Sequence, residues 1–203
     1  IGIGSGLGGV INIKRGHYEF DMKGQEGACI RSVNGDSELF IEYCDMDIYS
    51  GISNGTIIGS VNGNADIKLE NISAKLQGAG NIITGIGTIA GNSCMVRLEN
   101  VNISSNIRAK ECYGIGCRAG RTDIYIGYAA VKSVVQGKAA VAFGNSIMSA
   151  KLYCSNADVG TNAVTEFHSD IGALEKNIQL ENGRAEFILN GQEVKRQILA
   201  ARL

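Results

Sequence analysis

One stretch decides the fold: Ile67-Lys68-Leu69-Glu70-Asn71-Ile72-Ser73-Ala74-Lys75-Leu76. Its pattern returns later in the chain as Val96-Arg97-Leu98-Glu99-Asn100-Val101-Asn102-Ile103 and as Ile178-Gln179-Leu180-Glu181-Asn182. Apolar and polar residues alternate up to an Asn in each copy, and alternation with a period of two indicates a strand with one buried face. The sequence therefore predicts short strands separated at the Asn.

An apolar residue, followed in most copies by Gly, marks each repeat. These anchors are separated by 27, 28, 28, 29 and 28 residues, and they are Ile3, Ile30, Ile58, Ile86, Ile115 and Phe143. The residue after the anchor is Gly in every copy except one, where it is Arg31. A near-constant period of this length predicts a solenoid, a propeller or an array. No copy contains helical periodicity, and a propeller blade requires four strands and a longer period.

Three short alternating runs fit each period, which predicts an all-β, parallel β-helix of about seven coils of ~28 residues stacked about 4.8 Å apart. We predict the β-helix over residues 1–190, with its N-terminal end truncated, and a C-terminal cap over residues 191–203. The spacing of Val194, Ile198 and Leu199 predicts one helical face for the cap. A β-hairpin that returns on residues 187–189 is the alternative.

One column of the repeat falls between the two main strands, and it consists of Tyr43, Asn71, Asn100, Tyr128, Asn156 and Asn182. Asn tolerates a left-handed backbone, and its amide can bond to the same amide one coil away, so we expect a ladder of stacked side chains. In period and ladder the chain resembles the right-handed parallel β-helices of the pectate-lyase-like fold and the Gly-Ile-Gly-repeat solenoids of bacterial proteins. The resemblance covers residues 1–190 and implies right-handed winding.

Composition excludes several classes of function. The chain has 19 basic and 20 acidic residues and no long basic run, so nucleic-acid binding by this segment has no electrostatic support. No apolar run approaches the ~20 residues that span a bilayer, and we expect no membrane partner. The absence of an initiator Met and of a signal peptide leads us to expect an upstream segment or domain. The compartment stays open between the cell surface or secreted space and the cytoplasm.

The six Cys residues are interpreted as reduced packing thiols. Cys44 and Cys154 fall on inward positions of the repeat, where a free Cys acts as a small apolar residue. Cys112 and Cys117 lack the CxxC spacing and have no nearby His. We therefore predict neither a metal site nor a cofactor.

Outward positions of the first strand form two columns that are candidates for binding. One column reads Phe40, Lys68, Arg97, Tyr125 and Tyr153, and the other reads Glu42, Glu70 and Glu99 and continues with Gly127 and Ser155. Exposed aromatic rings could stack on sugar rings, and carboxylates could accept hydrogen bonds from hydroxyl groups. The alternative is a solvated sheet face on which the two cations offset repulsion between the glutamates. A calcium site on the glutamates would need 6–8 oxygens, and no loop motif supplies them.

The best cluster for catalysis is weak. Asp45 and Asp47 project from the same strand face, and Lys75 lies one coil further on. Paired carboxylates could act as acid and base, but the Asp45 column continues without another acid, so solvated strand charges are the favoured interpretation. We interpret His17 and His168 as turn or surface residues. The Gly-rich start at residues 2–8 is a corner signal rather than a phosphate-binding loop, because it lacks a preceding strand and a following helix.

Three functions follow from these patterns. The favoured one is a non-catalytic binding or interaction module of a larger bacterial protein, with a polysaccharide or another protein as its partner. The first alternative is a polysaccharide lyase or hydrolase of the pectate-lyase type. The second is a solenoid domain attached to an upstream intracellular regulatory domain.

Overall fold

A computed structural model describes residues 1–145, 148–166 and 178–199, and every regular element in these ranges is a β-strand. The thirteen strands are β1 Ile3–Ser5, β2 Gly9–Asn34, β3 Ser37–Asn62, β4 Ala65–Glu70, β5 Ser73–Thr88, β6 Ser93–Glu99, β7 Asn102–Cys117, β8 Arg121–Gly127, β9 Ala130–Gly137, β10 Ala139–Gly144, β11 Ala150–Thr165, β12 Ile178–Leu189 and β13 Gln192–Leu199. They wind into a right-handed parallel solenoid of about six turns. The predicted fold class is confirmed.

The register between turns follows the repeat period. Ile30 pairs with Ile58, Ile58 with Ile86, and Ile86 with Ile115, so the anchors stack directly over one another. The inward positions of the other strands stack in the same way and are almost completely buried, as at Leu39, Ile67, Val96, Ile124 and Leu152. Alternation along each segment therefore separates one continuous apolar core from the outward faces.

Each turn contributes three segments, which stack into three faces of the solenoid. In β3 these are residues 37–42, 45–52 and 54–62. We call the outward sides of the first and second segments the first face and the second face. The third segment is buried almost throughout, as the unbroken burial of residues 55–61 shows. The first and second faces are therefore the long solvated surfaces.

A single left-handed residue turns the chain from the first face to the second. Every member of the predicted column has a positive φ, from 46° at Tyr128 to 57° at Tyr43. The predicted ladder is confirmed for one rung, where the Asn100 side-chain amide donates to Asn71 Oδ1. It is wrong for Asn156, which donates to Ser155 Oγ at 3.2 Å. The property that the whole column shares is the left-handed backbone conformation, which Asn adopts readily.

The second corner follows the anchors, where Gly59, Gly87 and Gly116 have φ values of 135–140°. A Cβ atom on any of them would collide with the carbonyl group of the next turn, so the corner requires glycine. Arg31 occupies this column with a φ of 118° and is fully buried. Its Nη2 donates to the carbonyls of Gly9 and Asp36, whereas Nε and Nη1 have no partner in the described part of the chain.

A polar column, which the sequence analysis missed, lies one residue after these glycines. It consists of Ser32, Ser60, Thr88, Cys117 and Asn145. Ser60 Oγ donates to Gly35 O at 3.1 Å, and Thr88 Oγ1 donates to Gly63 O at 2.7 Å. These buried side chains satisfy carbonyls of the loop between turns, which would otherwise lack partners. The recurrence of a small polar residue after each glycine was the available signal.

The C-terminal end differs from the helical prediction. β13 pairs antiparallel with β12, with Phe187 opposite Lys195 and Leu189 opposite Gln192, so the helical face at 194–199 is wrong and the alternative hairpin is observed. Asn190 and Gly191 form the connection with φ values of 48° and 80°. Two positive φ values are typical of the tight turns that close β-hairpins. The hairpin gives the open edge of β12 a hydrogen-bonding partner.

We expect Arg31→Gly to raise the free energy of unfolding by about 1–3 kcal/mol, because relief of backbone strain and of an unpaired buried charge exceeds the entropy cost of glycine. Urea unfolding followed by circular dichroism measures the change. Arg15→Gly is the matched control, since Arg15 is exposed and has a φ of 54°. A loss of stability in Arg31→Gly would contradict this reading and show that the guanidinium holds the turn together.

Asn100→Ala should lower the free energy of unfolding by about 1–2 kcal/mol, since Ala disfavours the left-handed region and loses the bond to Asn71. Asn100→Gly loses the same bond, but glycine adopts the left-handed backbone conformation readily. The free energy of unfolding of this variant should stay within about 0.5 kcal/mol of the parent. Thermal and urea denaturation of both variants test this pair. An equal loss in both variants would assign the stability to the amide ladder instead.

Candidate functional site

A groove of about 670 Å³ runs along the C-terminal half of the first face. One wall is the column of Lys68, Arg97, Tyr125, Tyr153 and Gln179, and the other side is the column of Glu70, Glu99, Gly127, Ser155 and Glu181. We call this the tyrosine groove. It spans five successive turns, so its length is about 19 Å at the usual strand spacing.

Six of the eight predicted binding residues line the tyrosine groove, namely Lys68, Arg97, Tyr125, Tyr153, Glu70 and Glu99. Phe40 and Glu42 stand in the same two columns but lie nearer the N-terminal end, outside the groove. Gln179 and Glu181 also line it, and the sequence analysis did not assign them. The repeated motif at residues 178–182 already places them in these columns, although the repeat shortens from 28 to 26 residues between Tyr153 and Gln179.

Two stacked tyrosines form the aromatic part of the wall. The ring centroids of Tyr125 and Tyr153 are 5.0 Å apart, and the planes differ by 4°. Residues of adjacent turns stand about one strand spacing apart, so like rings in one column stack on each other. Stacking covers one face of each ring, and Tyr125 remains 39% exposed.

Gly127 and Ser155, which carry little or no side chain, form the floor of the groove. Gly127 lies directly under the Glu99 carboxylate, and a Cβ atom at this position would collide with Glu99 Oε2. The tyrosines and the small residues alternate across the same two strands, β8 and β11. The groove therefore exists because bulky and minimal side chains stand side by side in adjacent columns.

The cations beside the groove are already paired. Lys68 Nζ lies 2.7 Å from Glu70 Oε2, and this bond raises the pKa of the Lys68 ammonium group. Arg97 Nη1 lies 2.7 Å from Asp66 Oδ1, on the side of its column away from Glu99. Among the described residues, Glu99 has no ion-pair partner, so its carboxylate remains available to a ligand.

The weak catalytic candidates lie elsewhere. Asp45 and Asp47 are exposed on the second face, where Lys75 Nζ lies 3.5 Å from Asp47 Oδ2. The Asp45 column continues with Ser73 and Asn102, as predicted. Neither carboxylate lines the tyrosine groove, and their role in catalysis stays a prediction.

The cysteines are core residues. All six are buried and free of disulfides, as the packing interpretation predicts. Burial raises the pKa of the Cys154 thiol to about 12 and that of Cys112 to about 11. A raised pKa keeps these groups as thiols, because the apolar core disfavours a thiolate.

The two histidines are the remaining candidates. His17 is exposed, and its Nε2 lies 3.1 Å from Glu19 Oε1. His168 lies outside the described residues. Within the ranges that the structure describes, no three side chains of His, Cys, Asp or Glu are grouped as metal ligands.

Comparison with models of protein families, with curated proteins and with solved structures finds no match to this chain. In the described ranges, no helix has the length and apolar character needed to cross a membrane. The geometry of the tyrosine groove is thus the basis for a functional proposal.

The buried thiols should be unreactive in the folded protein. The pKa values of Cys112 and Cys154 are raised above the ordinary 9.0, so the unfolded chain loses these protons first as the pH rises. Stability should therefore be intact below about pH 9 and fall as the pH climbs toward 12. Urea unfolding across pH 7–11 and labelling with a thiol reagent at pH 8 measure the two effects.

A Cys112→Ala/Cys154→Ala variant serves as the control, because it should show a shallower loss of stability above about pH 9. Full labelling should require denaturant in the parent protein. Rapid labelling of the native parent at pH 8 would contradict the burial of these thiols.

Proposed function

We propose that this chain is a non-catalytic binding module for a glycan, which lies along the tyrosine groove. The observation that carries the proposal is the stacked pair of Tyr125 and Tyr153 beside a groove floor of small residues, Gly127 and Ser155. The apolar faces of sugars pack on aromatic rings, and a few placed polar groups fix their orientation. Glu99 supplies a carboxylate that accepts hydrogen bonds from hydroxyl groups.

The shape of the groove favours an elongated ligand. It is open along its length, and its lining side chains come from five turns, which together extend about 19 Å. A monosaccharide would contact only part of this surface. A chain of several sugars aligned with the solenoid axis would contact the tyrosine rings, the floor, and the carboxylates of Glu99 and Glu181 at once.

The carboxylate spacing favours binding over hydrolysis. Glycoside hydrolysis uses two carboxyl groups about 5–10 Å apart. Glu99 and Glu181 are three turns apart, about 14 Å at the strand level. Glu70 is one turn from Glu99 but is paired with Lys68. A polysaccharide lyase or hydrolase therefore ranks second, and attachment to an upstream intracellular regulatory domain remains a hypothesis.

A Tyr125→Ala/Tyr153→Ala variant should lose glycan binding by about tenfold or more, since both apolar contact surfaces disappear. A glycan array identifies binders, and calorimetry measures the affinity of each variant for them. Tyr49→Ala is the matched control, because Tyr49 is 38% exposed but stands on the second face. Melting curves show whether all variants are folded.

Two results would count against the proposal. One is an array on which no glycan binds the parent, and the other is unchanged affinity in the double variant. Release of reducing ends from a bound polysaccharide by the parent protein would favour the hydrolase alternative instead.

A further inference from the structure

The charges of the tyrosine groove define the class of glycan that it accepts. We infer that the groove selects glycans without carboxylate or sulfate groups and discriminates against acidic ones. This inference rests on the proposed glycan-binding function and adds the chemical class of the ligand.

Each cation in the lining of the groove already has a carboxylate partner in this chain. Lys68 and Arg97 are the basic residues in its lining. Each lies 2.7 Å from a carboxylate oxygen of this chain, that of Glu70 for Lys68 and that of Asp66 for Arg97. An acidic sugar would have to compete with these carboxylates for a cationic partner.

The unpaired charges in the groove are negative. Glu99 and Glu181 have no ion-pair partner in the part of the chain that the structure describes, and both line the groove. Glu99 lies over the floor at Gly127, and Glu181 stands beyond Ser155 in the same column. The two carboxylates therefore flank the floor, so a ligand that lies along it passes both.

Neutral and acidic sugars meet these carboxylates differently. Hydroxyl groups donate hydrogen bonds to a carboxylate, and such charge-assisted bonds are stronger than neutral ones. A sugar carboxylate or sulfate in the same place is repelled, and like charges brought together at an interface suppress binding of the wrong partner. Salt screens this repulsion, so acidic ligands should bind better at high salt, whereas neutral ligands should change little.

The test uses pairs of oligosaccharides that differ mainly in charge. Two pairs serve as probes: hexagalacturonate with its full methyl ester, and carboxymethylated cellohexaose with cellohexaose. In each pair that binds, calorimetry at low salt should show the acidic member at least about tenfold weaker, and the difference should shrink at high salt. Binders on the glycan array should likewise be free of acidic groups.

Variants separate the selectivity from the binding itself. Glu99→Gln/Glu181→Gln should bind the neutral member of a pair more weakly, because charge-assisted hydrogen bonds to the ligand become neutral ones, and should bring the ratio within the pair close to one. Asp45→Asn/Asp47→Asn removes the same charge from the second face, so it should keep the selectivity of the parent and serve as the control.

The outcomes distinguish this inference from the proposed function. Equal or tighter binding of acidic members, or an array dominated by uronates and sulfated glycans, would overturn the selectivity and leave glycan binding intact. An unchanged ratio in the Glu99→Gln/Glu181→Gln variant would also overturn it. Absence of binding to every glycan would defeat the proposed function and the inference together.

Discussion

Parallel, in-register pairing between successive turns is the constraint on which the rest of the structure depends. Each inner segment uses its backbone N–H and C=O groups on the turns before and after it, so a residue is fixed above its equivalent about 28 positions earlier. Residues at equivalent positions must then have side chains of similar size inside the core and similar φ values at the corners. The repeat in the sequence follows from that requirement.

The corners show how strictly the backbone selects residues. Asn tolerates the left-handed turn between the first two faces, but Tyr43 and Tyr128 adopt it as well, because the flanking strands hold the chain there. The glycine corner is stricter, since the next turn's carbonyl occupies the space of a side chain. Arg31 breaks that rule at a cost in strain and in unpaired buried nitrogen atoms.

The candidate site arises from the same stacking. Register places Tyr125 against Tyr153 and Gly127 beside Ser155. Large side chains in one column form the wall, and small residues in the neighbouring column form the floor. No loop or separate domain is needed to build the groove. The ion pairs of Lys68 and Arg97 then decide which charges remain exposed to a ligand.

The sequence by itself determined the period, the inward residues such as Ile67 and Leu98, and the columns of eight of the residues that line the groove. These follow from alternation and repeat length, which are local or periodic properties of the chain. Tertiary structure alone decided the hairpin at residues 192–199, because an unpaired strand edge outweighed the helical spacing there. It also decided which carboxylates are paired, since side-chain distances across turns have no signature in sequence order.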